Sequence, residues 1–188
     1  MTQGFSGGPL FQQATRFVEH IASVPVLVVL TLFAVLFPVV LFPAHGVGDP
    51  GPLDLYFFYS PDQAYEHLAA LGAEGRSAYI GMVLTSDLVF PVIYSMALSV
   101  ALMLVLRKLL PPTSRFRSLC LFPFLTVIAD GCENLGLAVA TRAFPERADA
   151  IVRTASSFTS LKWMLIALTL LVLLVAVTFL IFRDMRGR

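Results

Sequence analysis

Apolar positions fall into four long runs, at about residues 22–43, 78–106, 118–141 and 155–182. Each run exceeds the ~20 residues that carry a helix across a hydrocarbon core of ~30 Å. Closed helices satisfy every backbone group inside lipid, so polar interruptions in the second and third runs do not demote them. The pattern predicts an all-α integral membrane protein, a single polytopic domain over 1–188 built as a four-transmembrane-helix bundle. The first twenty residues are mixed and Gly-containing, with no convincing cleavable signal, and the first run is read as a retained span.

The only sizeable connection is the external 1–2 loop, residues 44–77. Its start, HGVGDPGPLD, is too rich in Gly and Pro to be helical throughout. Ser60-Pro61-Asp62-Gln63 then reads as a capping box with proline in the first turn. Ala64, Tyr65, Leu68 and Leu71 share one face before Gly72, which predicts a short amphipathic helix on the membrane surface. Ahead of it, Leu55-Tyr56-Phe57-Phe58-Tyr59 is a dense aromatic patch. It suits an anchor at the water–lipid boundary or a lid over an outward-facing pocket.

Composition agrees with the spans. The chain is 57% hydrophobic and 13% charged, against ~45–50% and ~25% in soluble domains. A net charge of +1 and the lack of any aromatic–basic groove give no case for nucleic acid. Cys120 and Cys132 lie ~18 Å apart along one helix, too far to bridge. The 2–3 loop carries Arg107, Lys108, Arg115 and Arg117 without an acid, and the tail carries Arg183, Arg186 and Arg188. The 1–2 loop carries Asp49, Asp54, Asp62, Glu66 and Glu74 against Arg76. The positive-inside rule therefore places both termini in the cytoplasm, in what reads as a bacterial inner (plasma) membrane. Arg142, Arg147 and Arg153 in the 3–4 loop pull weakly the other way.

The informative residues are those that do not belong in lipid. Asp87 lies in the second span, Asp130, Glu133 and Asn134 in the third, and Lys162 in the fourth. A charge at the bilayer centre costs at least ~2.5–3.5 kcal/mol, so such groups pair inside the bundle or do chemistry. Counted from the cytoplasmic ends, they rise ~28 Å for Asp87, ~20–24 Å for Asp130 and Glu133, and ~31 Å for Lys162. They share a layer in the outer half, and Lys162 is predicted to reach at least one carboxyl. Asp130, Glu133 and Asn134 fall on one stripe of their helix. Pro91 removes the hydrogen bond that the Asp87 carbonyl would accept. Three acids against one base predict that carboxyls hold protons, that a cation binds, or that Arg76 or Arg142 reaches inward.

Other chemistries lack their residues. His20, His45 and His67 lie outside the spans, with His67 expected on a solvated face, so no metal site is predicted at membrane depth. No phosphate-binding glycine loop is present, and no cofactor is implied. In architecture, four helices with carboxylates in one outer layer resemble the EXPERA proteins, which include sterol isomerases and sterol-binding receptors. That resemblance is one of architecture only and assigns no residue a role.

The reading is a pocket between spans two, three and four for a membrane lipid or other hydrophobic, amphipathic small molecule. Asp87, Asp130, Glu133 and Asn134 form its polar floor, Lys162 its counter-ion, and Phe90, Tyr94 and Trp163 its apolar wall. The first span is assigned mainly to packing. Whether the protein is an enzyme stays open. A lipid-modifying enzyme would use Asp130 and Glu133 as acid and base, and a structural or assembly subunit would use the same groups as polar glue. Four spans leave little room for a pore without assembly, so a homo-oligomer is also kept open.

Overall fold

The structure is a computed structural model that describes residues 8–44 and 52–186, with the side chains of 42–44 excluded. The Gly/Pro-rich stretch 45–51, His45 and Arg188 lie outside the described residues. Seven α-helices and two 3₁₀ segments are described, without strands. Four helical stretches are long and apolar enough to cross a membrane: Val24–Leu41, Gly72–Leu109, Arg115–Ala143 and Asp149–Arg186. Large apolar side chains stand exposed along the first of them and along the second half of the last. A soluble protein does not carry such a continuous apolar surface. The chain is a multi-pass helical membrane protein.

Helix α1 (Pro9–Ile21) was not foreseen, because a glycine-containing, mixed stretch hid an amphipathic segment with proline in its first turn. It lies against the 2–3 connection. Val18 and Ala22 pack on Val100, Leu102, Met103 and Cys120. Arg117 pairs with Glu19, and its Nη2 donates to the Leu110 carbonyl at 2.9 Å. Arg117 is thus buried and paired rather than free to act as a topology charge.

Helix α2 (Val24–Ala44) is apolar all round and stands at the periphery, packed chiefly on α5. The second span is broken in two, α4 (Gly72–Val83) and α5 (Ser86–Leu109), with the break at Leu84–Thr85. The sequence places the irregularity about two turns later, at Pro91, because proline is the visible helix breaker. The third span enters as the 3₁₀ segment Arg115–Phe124 and becomes α6 (Leu125–Ala143) only after Pro123. Ser95 and Ser99, one turn apart on α5, donate to the Pro123 and Cys120 carbonyls of that segment. Backbone groups that irregular turns leave open inside lipid are satisfied in this way.

Helix α3 (Pro61–Ala70) forms as expected, with both bonds of the Ser60–Gln63 capping box present. Gly72 has φ +65, the left-handed geometry that lets the chain fold back at once into α4 rather than stop. α4 thereby brings Tyr79 edge-on to His67 with ring centroids 5.6 Å apart. His67 is 6% exposed, so the solvated-face expectation is corrected. Burial lowers its imidazole below the usual range and favours the neutral ring.

The closest helix packing joins α6 to α7 (Asp149–Arg186). A Cβ on Gly136 would lie 2.9 Å from Ala155 Cβ, whereas one on Gly131 would meet nothing within 4 Å. Gly136→Ala is therefore expected to lower the thermal unfolding midpoint in detergent. Overpacking costs ~1–3 kcal/mol and outweighs the ~1 kcal/mol of helix propensity gained. Gly131→Ala, with the same propensity gain and no clash, should leave the midpoint unchanged or raise it. Equal shifts for the two variants would contradict this packing.

Candidate functional site

α6 and α7 set the intramembrane polar groups face to face. On α6, Asp130, Glu133 and Asn134 point into the bundle and are at most 2% exposed. On α7, Lys162 is 4% exposed, and its Nζ lies 2.8 Å from Asp130 Oδ1 and 2.7 Å from Glu133 Oε2. The first contact is a hydrogen bond; the second is an ion-pair contact outside hydrogen-bond geometry. Lys162 therefore meets the carboxyls that its depth predicted.

A fourth acid joins them. Asp54 Oδ2 lies 3.8 Å from Lys162 Nζ, and Asp54 is 9% exposed. Sequence reasoning counted Asp54 only as a loop charge. The available signal was its setting, Leu53-Asp54-Leu55, an acid between two apolar residues beside the aromatic patch. Burial raises the Asp54 carboxyl above the usual carboxylate range, with the Lys162 charge opposing the shift.

Residues 52–60 form a strap along the N-terminal half of α7. Trp163 Nε1 donates to the Asp54 carbonyl at 3.1 Å, and Ser160 Oγ to the Phe57 carbonyl at 2.8 Å. The Tyr59 amide donates to Ser156 Oγ at 2.9 Å. Ser156, Ser160 and Trp163 are spaced i, i+4, i+7, so one face of α7 holds the whole strap. Within it Leu55, Tyr56, Phe57 and Phe58 stay exposed, while Tyr59 is buried. Its hydroxyl lies 3.3 Å from Thr159 Oγ1, which donates to Glu133 Oε1 at 2.6 Å.

Asp87 stands in the first turn of α5, 1% exposed, and neither of its carboxyl oxygens finds a hydrogen-bond partner among the described residues. Its main-chain carbonyl is served differently. Asn134 Nδ2 approaches that oxygen at 3.4 Å and Asp130 Oδ2 at 2.9 Å. The asparagine thus fills the place that Pro91 leaves open. Arg76 does not reach inward: it donates to the Leu68 carbonyl at 3.0 Å and lies over the Phe144 ring at 4.2 Å. Four carboxyls therefore face one ammonium, and a low-dielectric layer requires protons or a bound cation to balance them.

Beside this cluster lies a cavity of about 690 Å³. Of the expected wall, Phe90, Tyr94 and Trp163 line it; Asp130 and Lys162, with Asp54, form its polar end. Asp87, Glu133 and Asn134 do not line it and stand behind that end, so the expected floor is corrected in part. α2 is corrected too. Thr31, Ala34, Val35, Pro38 and Val39 make a full wall, because its peripheral position leaves a gap against α5 and α7. Phe37 of α2 stacks on Phe90 at 5.9 Å, and Phe90 meets Tyr94 edge-on at 5.2 Å. Val35, Val39 and Leu55 are lining residues that are also exposed, so the cavity opens on the lipid-facing side under the strap.

The Pro91–Asn134 arrangement is checked by a double-mutant cycle. Asn134→Leu should cost about 1–3 kcal/mol by stripping donors from buried oxygens. Pro91→Ala restores an N–H to the Asp87 carbonyl. In that background the cost of Asn134→Leu should fall by at least ~0.5 kcal/mol in thermal unfolding. Strict additivity would mean that Asn134 does not substitute for the missing backbone bond.

In comparisons with known proteins, no family model, no curated protein and no solved structure matches this chain, and the assignment of a role rests on the geometry above.

Proposed function

We propose that the protein binds an amphipathic, lipid-like small molecule in the membrane cavity. The observation that carries this reading is the cavity's polarity: about 690 Å³ of apolar wall, with Asp54, Asp130 and Lys162 gathered at one end. Its size lies within the ~300–1,000 Å³ of small-molecule sites, which are mostly apolar with a few placed polar groups. The apolar body of the ligand lies between α2, α5 and Trp163. Its head meets the acid–lysine end, and it enters from the bilayer past Val35 and Val39.

A second reading is favoured by one observation, the surplus of buried carboxyls around Lys162. A site that holds protons on some acids and charge on others can move a proton on a bound lipid, with Asp130 or Glu133 as the acid–base group. The charge asymmetry of the loops supports an orientation with the strap outside and both termini in the cytoplasm of a bacterial inner membrane.

Trp163 is the chain's single tryptophan and lines the cavity, so intrinsic fluorescence reports occupancy. Protein in detergent, titrated with a spin-labelled fatty acid and a spin-labelled sterol, should show saturable quenching by at least one. Ala34→Phe narrows the cavity from the peripheral helix and should abolish it. Non-saturating quenching by both probes, equal in Ala34→Phe, would remove the pocket reading and leave polar glue between helices. Asp130→Asn with Glu133→Gln should lose binding; a double variant that folds, binds and works undiminished rules out the acid–base role.

Orientation has its own test. In a Cys-free background, Ser60→Cys should react with a membrane-impermeant thiol reagent in intact cells and Ser114→Cys should not. Labelling of Ser114→Cys alone would reverse the orientation.

A further inference from the structure

A second cavity, of about 300 Å³, opens on the outer side of the strap. Leu53, Tyr56, Tyr59, Gln63, Glu66, His67 and Ala70 line it. It lies against the loop helix, whereas the first cavity lies among the spans. Between the two runs an unbroken row of polar atoms. Tyr59 is a wall of the outer cavity, and its hydroxyl lies 3.3 Å from Thr159 Oγ1. Thr159 Oγ1 lies 2.6 Å from Glu133 Oε1, and Glu133 Oε2 lies 2.7 Å from Lys162 Nζ. Lys162 lies 2.8 Å from Asp130, and both line the membrane cavity. No step exceeds 3.3 Å.

We propose that Tyr59, Thr159 and Glu133 form a proton route from the outer cavity to the acid–lysine end of the membrane cavity. Each link can accept at one lone pair while donating its own hydrogen. Thr159 Oγ1 is placed to donate to Tyr59 Oη as well as to Glu133 Oε1; with its hydrogen turned to Glu133, a proton arriving at Tyr59 Oη releases the phenolic hydrogen to Thr159 Oγ1. Thr159 passes its own hydrogen to Glu133 Oε1. One O–H bond breaks for each that forms, and a single positive charge moves inward. Glu133 becomes a neutral acid, and its ion pair with Lys162 is lost. Lys162 is then held by Asp130 and, from 3.8 Å, by Asp54. Since Asp54, Asp130 and Lys162 line the membrane cavity, a proton delivered to Glu133 changes the charge its occupant meets.

Two features favour this route over leakage from the lipid side. The carboxylate of Glu133 is fully buried and does not line the membrane cavity, so Thr159 is its hydroxyl contact. The other buried groups around it are Tyr79 from α4, Asp87 from α5, Asp54 from the strap, and Asp130 and Lys162. Among the described residues, Tyr79 Oη and both Asp87 carboxyl oxygens make no hydrogen bond, so neither extends a competing chain to Glu133. His67, which also lines the outer cavity, is buried, and its Nε2 has no hydrogen-bond partner among the described residues.

The test is a pH jump on the full chain in lipid nanodiscs, followed by infrared spectroscopy of the carboxyl C=O stretch. Glu133→Gln identifies the Glu133 band by its loss. Tyr59→Phe removes the first link without touching Glu133, and Thr159→Val removes the second. Both should slow protonation of Glu133, by on the order of 10²-fold, the scale of a positioned acid–base group. Ser160→Ala frees the strap at Phe57 without entering the row and should leave the rate unchanged. Wild-type rates in Tyr59→Phe would overturn the route, as would a Glu133 band that never responds to pH. Equal slowing in Ser160→Ala would also overturn it, by assigning the effect to the strap's attachment. None of these readings depends on a ligand, so they stand or fall apart from the pocket proposal.

Discussion

An ammonium group inside a bilayer must be answered by opposite charge and by hydrogen bonds, and Lys162 meets that requirement through two separate parts of the chain. Asp130 and Glu133 come from α6, and Asp54 comes from a loop that would otherwise lie at the surface. Several structural features follow from it. α6 and α7 approach closely enough that only glycine fits at Gly136, one turn from Glu133. The strap is pulled along α7 until Asp54 reaches the lysine, and Ser156, Ser160 and Trp163 fix it there through its backbone. Removing one partner from such a cluster is costly, because a buried charge is then left unpaired.

The cluster over-answers its base. Three carboxyls contact one ammonium, a fourth, Asp87, is buried near them with no hydrogen-bond partner for its carboxyl among the described residues, and Arg76 is engaged elsewhere. Polar glue alone would be better served by matched charges or by neutral amides and hydroxyls. An excess of acids beside an apolar cavity is an arrangement that can take up and release protons as its occupant changes. The row from Tyr59 through Thr159 to Glu133 adjoins those acids, and it is the proposed way for such protons to travel.

Irregular backbone is confined to places where neighbours can repair it. The 3₁₀ entry to the third span borrows hydroxyls from Ser95 and Ser99 of α5, and the carbonyl opposite Pro91 borrows the amide of Asn134. In lipid no water serves these groups, so each departure from the α-helix carries its partner on a neighbouring helix. This accounts for serines and an asparagine in otherwise apolar spans without giving each one a role in chemistry.

The sequence by itself determined the four spans, the loop helix with its capping box, and the meeting of Lys162 with Asp130 and Glu133. Length, periodicity and depth along a helix are local properties, and the cost of an isolated charge in lipid leaves little alternative to pairing. Helix α1, the break at Leu84–Thr85 and the 3₁₀ entry were not legible, because each depends on what packs against it rather than on its own residues. Asp54 and the α2 wall were decided only by tertiary structure. An acid in a loop looks solvated until the loop is seen fastened to α7, and an apolar helix looks like packing alone until a cavity is seen along its face. Which carboxyls line the cavity and which stand behind it was likewise settled by the rotation of α6 against α7. Helical spacing groups those residues on one face but cannot say which edge of that face meets the open space.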